Sequence, residues 1–327
     1  MTKQKIKARR VSTKSEHYKV TNWSEYNRSL KERGNLQVWI PAATLDNWHY
    51  SGMKEKGGQL EYSDSCIEIC LSIKFLFKLG YRQTQGFIES IFSLAKIQKK
   101  VPSYSVMCQR CKKLEIKKEA IGKRKVNDKK GLHVSADSTG LKVYGEGEWK
   151  VRMHGWGKHR TWQKLHMLVN PIDKMILGTE LTSNGIDDAA MVGPLLSQVK
   201  GKIKKFSADG AYDKIKVYEI LSQVNINPII PPRKGARIKK HGNKKGKVNP
   251  RDRNIRMIRT LGRSRWKRKI EYHKRSIAET TMFRYKTIIG NKLTSRTFDR
   301  QKIETIIACK ILNTMTKIGM PKSSKSQ

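Results

Sequence analysis

The sequence predicts an α/β fold, a mixed sheet with helices packed against it, preceded by a region of helices. Three observations predict it. Residues 65–115 carry their apolar side chains in helix-length runs, the segments after Leu132 shorten to strand-length runs bounded by Gly, Pro, Asn or Asp, and those short runs then alternate with helical ones in the order β-β-β-α-β-α-β-α.

A chain of 327 residues can bury a substantial core, and about two domains are expected of it. Residues 1–20 are polar and basic and read as a flexible arm able to order on DNA. Residues 21–120 read as a helical DNA-binding region. It opens with "NWSEYNRSLKERGNLQVWI", a packed arm or short helix. "SCIEICLSIKFLFKLG" follows, a helix ended by Gly80. "RQTQGFIESIFSLA" and "SYSVMCQRCKKLE" are two more helices, with Pro102 and Ser103 marking the start of the second. Three helices with a basic last member suit DNA contact, and a purely architectural role fits the same pattern.

The charged stretch "EIKKEAIGKRKVNDKKG" suits a boundary, and a catalytic domain is expected over residues 130–317. "LHVSADSTGLKVYG", "TWQKLHMLVNP" and "KMILGTELT" read as strands and "DDAAMVGPLLSQVK" as a helix that Pro194 kinks or ends in a turn. "IKKFSADGAYD" supplies a strand and turn, "KIKVYEILSQV" a helix and "NINPIIPP" a short strand. A basic loop spans 233–256. The helix "YHKRSIAETTMFRYK", an amphipathic helix "RQKIETIIACKILNTMTKI" and a tail over 318–327 complete the chain.

Seventy Lys and Arg against 27 Asp and Glu leave a net charge of +43, far beyond what solubility requires. Such an excess predicts a polyanionic partner. No apolar run reaches the length of a membrane span, and "MTKQKIKARR" is followed by no apolar segment, so nucleic acid is a better partner than lipid and no membrane association is expected. The loop residues Arg233, Lys234, Arg237, Lys239 and Lys240 are candidate phosphate contacts, the alternative being a solvated charged loop. Five cysteines, an odd number, point to a reducing cytoplasm. Cys66, Cys70, Cys108 and Cys111 have the spacing of a zinc site and also of buried small apolar residues in helices.

Three acids stand out in so basic a chain. Asp137 in "VSADSTG" and Asp209 in "FSADGAYD" each end a hydrophobic strand, where a carboxylate either serves its own turn or joins others around a divalent ion. Glu279 is the third. At 100° per residue, Tyr272, Arg275, Glu279 and Lys286 share one helix face, with Ile270, Ile277 and Ile288 opposite. Carboxylates are hard oxygen ligands, so three of them converging could hold two Mg²⁺ ions for phosphoryl transfer. Arg275, Lys286 and Tyr272 would contact phosphate beside them, unless they only balance Glu271 and Glu279. Trp149 in "GEGEWK" could stack on an unpaired DNA base or serve as a packing anchor. His154, His159 and His166 form no ligand set.

These motifs resemble a known family. "YHKRSIAETTMFRYK" is similar to the Tyr-x2-Arg-x3-Glu-x6-Lys signature of bacterial insertion-sequence transposases with an Asp-Asp-Glu triad, and "ADSTGLKVYGEGEW", "HGWGKHRTWQKLH" and "SADGAYD" resemble blocks of the insertion sequence 5 group. "NWSEYNRSLKERG" and "LGYRQTQGFIESIF" resemble its N-terminal region. The resemblance implies an RNase H-like mixed-sheet catalytic domain with Asp137, Asp209 and Glu279 as catalytic metal ligands for Mg²⁺, for which Mn²⁺ would substitute. It implies binding to double-stranded DNA at terminal inverted repeats, transfer of 3′-hydroxyl ends into target DNA, a homo-oligomer holding two ends, and a cytoplasmic protein associated with the nucleoid when bound. An RNase H-like nuclease without strand transfer and a noncatalytic basic DNA-binding protein are the rival readings.

Overall fold

The computed structural model describes residues 18–53, 57, 59–114, 131–143, 162–239 and 249–325. Trp149, Lys240, His154 and His159 lie outside the described residues. Strand β1 (Tyr18–Val20) precedes six helices: α1 (Trp23–Glu32), α2 (Leu36–Trp39), α3 (Ala42–Asp46), α4 (Asp64–Leu76), α5 (Tyr81–Leu94) and α6 (Tyr104–Lys113). The helix starts follow local chemistry. Ser63 accepts a hydrogen bond from Cys66 N at 3.1 Å at the head of α4, and Ser103 caps α6 through Val106 N at 3.4 Å. At α5 the Gly80 N–H donates to Gln83 Oε1 at 2.8 Å.

The sheet comprises β2 (Leu132–Lys142), β3 (Trp162–Val169), β4 (Ile176–Ser183), β5 (Ile203–Ser207) and β6 (Asn227–Ile229) in the spatial order β4-β3-β2-β5-β6. The pairs β2–β3 and β3–β4 are antiparallel, whereas β2–β5 and β5–β6 are parallel. A parallel neighbour needs a crossover. Two helices, α7 (Val192–Leu196) and α8 (Ile215–Gln223), lie in those crossovers and cover one face, where Val134, Leu168 and Phe206 pack against Val192, Leu195, Val217 and Leu221. Pro194 lies in the first turn of α7, just after a 3₁₀ turn over Asp188–Met191, so the expected single helix is two short pieces.

Four helices follow the sheet: α9 (Pro250–Leu261), α10 (Arg263–Lys269), α11 (Ser276–Ile288) and α12 (Phe298–Ile318). The region expected to be loop through Arg256 is thus helical from Pro250. Asn249 caps Arg251 N at 2.9 Å, Pro250 occupies the first turn, and Ile255 and Trp266 are buried, an ordinary helix signal that the density of Lys and Arg obscured. The helix carrying Glu279 also begins later than its periodicity implied. Glu271 has a left-handed backbone (φ 60°), Tyr272–Arg275 form a 3₁₀ turn, and only Ser276–Ile288 is α-helical.

Helix α12 is more than amphipathic. Ile303, Ile307, Ile311 and Met315, spaced by four, pack among α4 and its neighbours, while Ile306, Cys309 and Leu312 pack with Leu165, Met167 and Val169 under the sheet. Polar pairs fix it on both sides: Asn313 bonds Ile176 N and O at 2.8 Å each, and Lys310 meets Glu68 of α4 at 2.7 Å. Cys66, Cys70 and Cys111 are free thiols inside the first of these cores, the small-apolar reading of the cysteines. Residues 18–20, at the end of the expected arm, pair with β7 (Ser323–Lys325) in the expected tail. Among the described residues no helix is long and apolar enough to cross a membrane.

Candidate active site

Register brings the first two acids together. In the parallel β2–β5 pair Ser135 faces Ser207, and Asp137 and Asp209 each lie two residues farther along. Neighbouring strands are about 5 Å apart, so the two carboxylates emerge side by side. Asp137 pairs with Met167 across β3, and Met167 packs with Tyr285 of α11, so Asp137 points to the sheet face that α11 covers. That face also receives Arg275 and Glu279.

Arg275 joins the acids. Its Nη1 stands 3.9 Å from Asp137 Oδ2, and its Nη2 hydrogen-bonds Glu279 Oε1 one turn ahead. Tyr272 lies between Trp266 and Arg275, with 6.0 Å between ring centroids and 5.7 Å from the guanidinium to the phenol ring. Burial pushes the Asp137 carboxyl up to about 6; the Ser138 N–H at 2.9 Å and the Arg275 charge work against that rise, and the charges of Asp209 and Glu279 add to it. The charges of Asp209 and Glu279 thus both reach Asp137.

Asp209 has two roles open to it. Its Oδ1 accepts from Ala211 N at 2.9 Å and so caps the 3₁₀ turn Gly210–Tyr212, the turn chemistry expected of an Asp in "SADGAYD". Its Oδ2 makes no hydrogen bond among the described residues. Among the described residues no three His, Cys, Asp or Glu side chains are arranged to hold one metal ion. Arg275 reaches Asp137 and Glu279, and Asp209 lies two residues past the end of the neighbouring strand β5.

The sequence reading attached no role to Asp213. Its carboxylate, 7% exposed as a residue, accepts the Arg251 fork at 2.8 and 3.1 Å, the Arg233 N–H at 3.0 Å and the Tyr218 hydroxyl at 3.0 Å. Burial alone would raise its pKa; these donors outweigh burial and hold it below the ordinary carboxylate range. Asp213 thereby ties both ends of the basic loop beside Asp209. The one signal was an acid four residues after Asp209, followed by Lys214 and Lys216. Arg233, Lys234, Arg237 and Lys239 are exposed there. Lys286 is exposed on α11, seven residues or about 10 Å beyond Glu279.

Two segments, residues 31–146 and 128–314, each match a family model described as "Transposase DDE domain". The second spans more than half of the chain. The chain belongs to the DDE transposase family. Among solved structures, a piggyBac transposase synaptic complex with hairpin DNA, determined by cryo-EM, is similar over 91% of this chain and 76% of its own, with 11% identity and a TM-score of 0.40. DDE transposases generally use divalent metal ions. The three acids of this DDE transposase are hard oxygen donors of the type such ions prefer, so the donor chemistry fits. Arg275 is the counter-charge beside Asp137 and Glu279.

Proposed function

We propose that this protein is an insertion-sequence transposase of the insertion sequence 5 group that binds terminal inverted repeats, cleaves DNA at them and transfers the 3′-hydroxyl ends into target DNA. One observation carries the reading: Asp137 on β2 is linked through Arg275 to Glu279 on a separate helix, and Asp209 lies two residues past the end of the parallel neighbour β5. The sheet order β4-β3-β2-β5-β6, three antiparallel strands followed by two parallel ones, supports an RNase H-like catalytic domain over residues 130–317.

In this reading Asp137, Asp209 and Glu279 hold Mg²⁺, with Mn²⁺ as a substitute. When bound, the ions lower the proton affinity of the attacking oxygen and offset charge on the leaving one. The chain's own residues orient the DNA. Arg275, freed from Glu279, presents two donors to a phosphate, Lys286 adds a point charge farther along the helix, and Tyr272, braced by Trp266, offers a hydroxyl near the reacting end. In strand transfer the 3′-oxygen forms a bond to a target phosphorus as the bond from that phosphorus to the target's own 3′-oxygen breaks. Arg233, Lys234, Arg237, Lys239 and Lys240 hold flanking phosphates, and Trp149 stacks on an unpaired base. The helices of residues 21–120 read the repeat, and a homo-oligomer holds two ends together in the cytoplasm, at the nucleoid.

The test is a Mg²⁺-dependent assay on the DNA ends flanking the gene, with products resolved to the nucleotide. Asp137→Asn, Asp209→Asn and Glu279→Gln should each abolish cleavage while leaving folding and DNA binding intact. Precleaved ends should yield a covalent joint with target DNA. Persistent hydrolysis with no joining would instead make the protein a nuclease.

A further inference from the structure

A second cluster of cations lies away from the acids, where the N-terminal helices meet the segment between α11 and α12. A cavity of about 450 Å³ is lined there by Lys74, Lys78, Lys292, Arg296 and Arg300, with Thr294, Ser295 and Glu304 among the other walls. Lys74 is the unusual member. It is 7% exposed, and its ammonium lies over the rings of Phe75 and Tyr81 at 4.5 and 4.9 Å. Those rings accept some of its charge but none of its three N–H bonds.

Among the described residues Lys74, Lys78, Arg296 and Arg300 make no ion pair. Glu304, the one acid in the wall, is occupied by Thr294 N at 2.9 Å, Thr294 Oγ1 at 3.0 Å and Ser295 N at 2.8 Å. The Arg300 Nε is buried without a hydrogen-bond partner. Burial also lowers the Lys74 pKa, and the opposing charge of Glu304 does not cancel that effect. A group of cations gathered around a cavity, one of them buried, is costly unless an anion joins them.

The position is as informative as the charge. Lys142, the last residue of β2, bonds to Asn291 O at 2.9 Å and accepts from Leu293 N at 2.7 Å, so the cavity wall is stitched to the strand that carries Asp137. Ile289, another wall residue, lies ten positions beyond Glu279 and only one past the end of α11, hence about 15 Å away at 1.5 Å per residue. Phosphates wind around the duplex axis, so a separation of this order is a few nucleotides along one strand. Lys286 lies along the same track.

We propose that this cavity binds a backbone phosphate of the DNA a few nucleotides from the reacting phosphate, clamping the duplex where the helical region meets the sheet. The placement rests on the transposase reading above; the affinity for phosphate does not. A small free phosphate would satisfy the same donors, and the experiment separates the two sources.

The full-length chain is tested with duplex end DNA across a salt series. A rim variant, Lys78→Gln with Arg296→Gln, should reduce the slope of log affinity against log salt by about one, equally for any DNA sequence. Lys216→Gln, on α8, should leave the slope alone. When phosphates near the cleaved end are ethylated one at a time, one position within a few nucleotides of that end should block the wild-type protein and be tolerated by the rim variant. Lys74→Met, which keeps the stem over the two rings, should reproduce the rim variant. An unchanged slope in the rim variant, with cleavage intact, overturns the cavity proposal and leaves the transposase reading standing. A reduced slope in a protein that never cleaves supports the cavity and defeats the transposase reading. In a parallel arm inorganic phosphate is compared with chloride at equal ionic strength. A rise in melting temperature that needs Lys78 and Arg296, with no change in the DNA slope, identifies free phosphate as the occupant and overturns the DNA clamp.

Discussion

Arg275 reaches two carboxylates from separate elements: its Nη1 is 3.9 Å from Asp137 on β2, and its Nη2 bonds Glu279 on its own helix. Removing that charge leaves Asp137 facing Asp209 and Glu279 uncompensated. In Arg275→Gln the Asp137 carboxyl should titrate above its wild-type value of about 6. Carbon-detected NMR of the metal-free protein measures it, and an unmoved titration would mean that Arg275 does not neutralise this cleft. Because the folded-state pKa is raised, the ionised form opposes folding, and stability falls as pH rises from about 4 to 6. Asp137→Asn should accordingly stabilise the metal-free protein by about 3 kcal/mol at pH 7.

Two buried histidines set the acid limit of the fold. Burial lowers both His133 and His166 to about 4, and each spends a ring nitrogen on a hydroxyl, Ser207 at 3.1 Å and Thr182 at 2.9 Å. A depressed folded pKa means that the unfolded chain takes up protons first, so their stabilising contribution is present above about 6.5 and is lost as pH falls toward 4. Asp137 works the other way in part of that window, but it is one group against two. The net loss between pH 7 and pH 5 should be about 2 kcal/mol by urea denaturation. His166→Gln, which retains a donor for Thr182, should flatten the profile.

The Asp213–Arg251 pair fixes the basic loop. Asp213→Asn leaves the Arg251 guanidinium, 13% exposed at its side chain, without its counter-charge and should cost about 3 kcal/mol. Trypsin should then cut faster at Arg233, Lys234 and Arg237 than in the parent protein. Asp213→Asn with Arg251→Met should recover much of the stability but not the protection. Equal cutting rates in all three proteins would mean that the pair does not hold the loop.

Helix α12 joins two cores, so damage on either side should be felt by the whole. Ile307→Ala on the face toward α4 and Leu312→Ala on the face toward the sheet should each cost about 2–5 kcal/mol and lower one shared calorimetric transition. Two transitions, each sensitive to one substitution, would show that the helical region and the sheet melt separately.

Several elements were legible because their signals are local. Ser103 caps the helix whose start it marks, and the strand-length runs from Leu132, Thr161 and Lys174 became neighbouring strands. Helices α9 and α10 were not legible, since their buried residues, such as Ile255 and Trp266, are sparse among Lys and Arg. The double-sided burial of α12 was hidden for a different reason. Periodicity reports that a face is apolar, not how many partners will cover the helix.

By itself the sequence determined the order of the principal strands, the excess of positive charge and the spacing that sets Arg275 one turn from Glu279, because each depends on near neighbours in the chain. Only the tertiary structure decided that Asp209 lies beside Asp137, that Asp213 gathers both ends of the basic loop, and that Lys74 is enclosed with other cations. Those juxtapositions come from strand register and from the packing of distant segments, where residues far apart in sequence share one low-dielectric space and their charges must be balanced together.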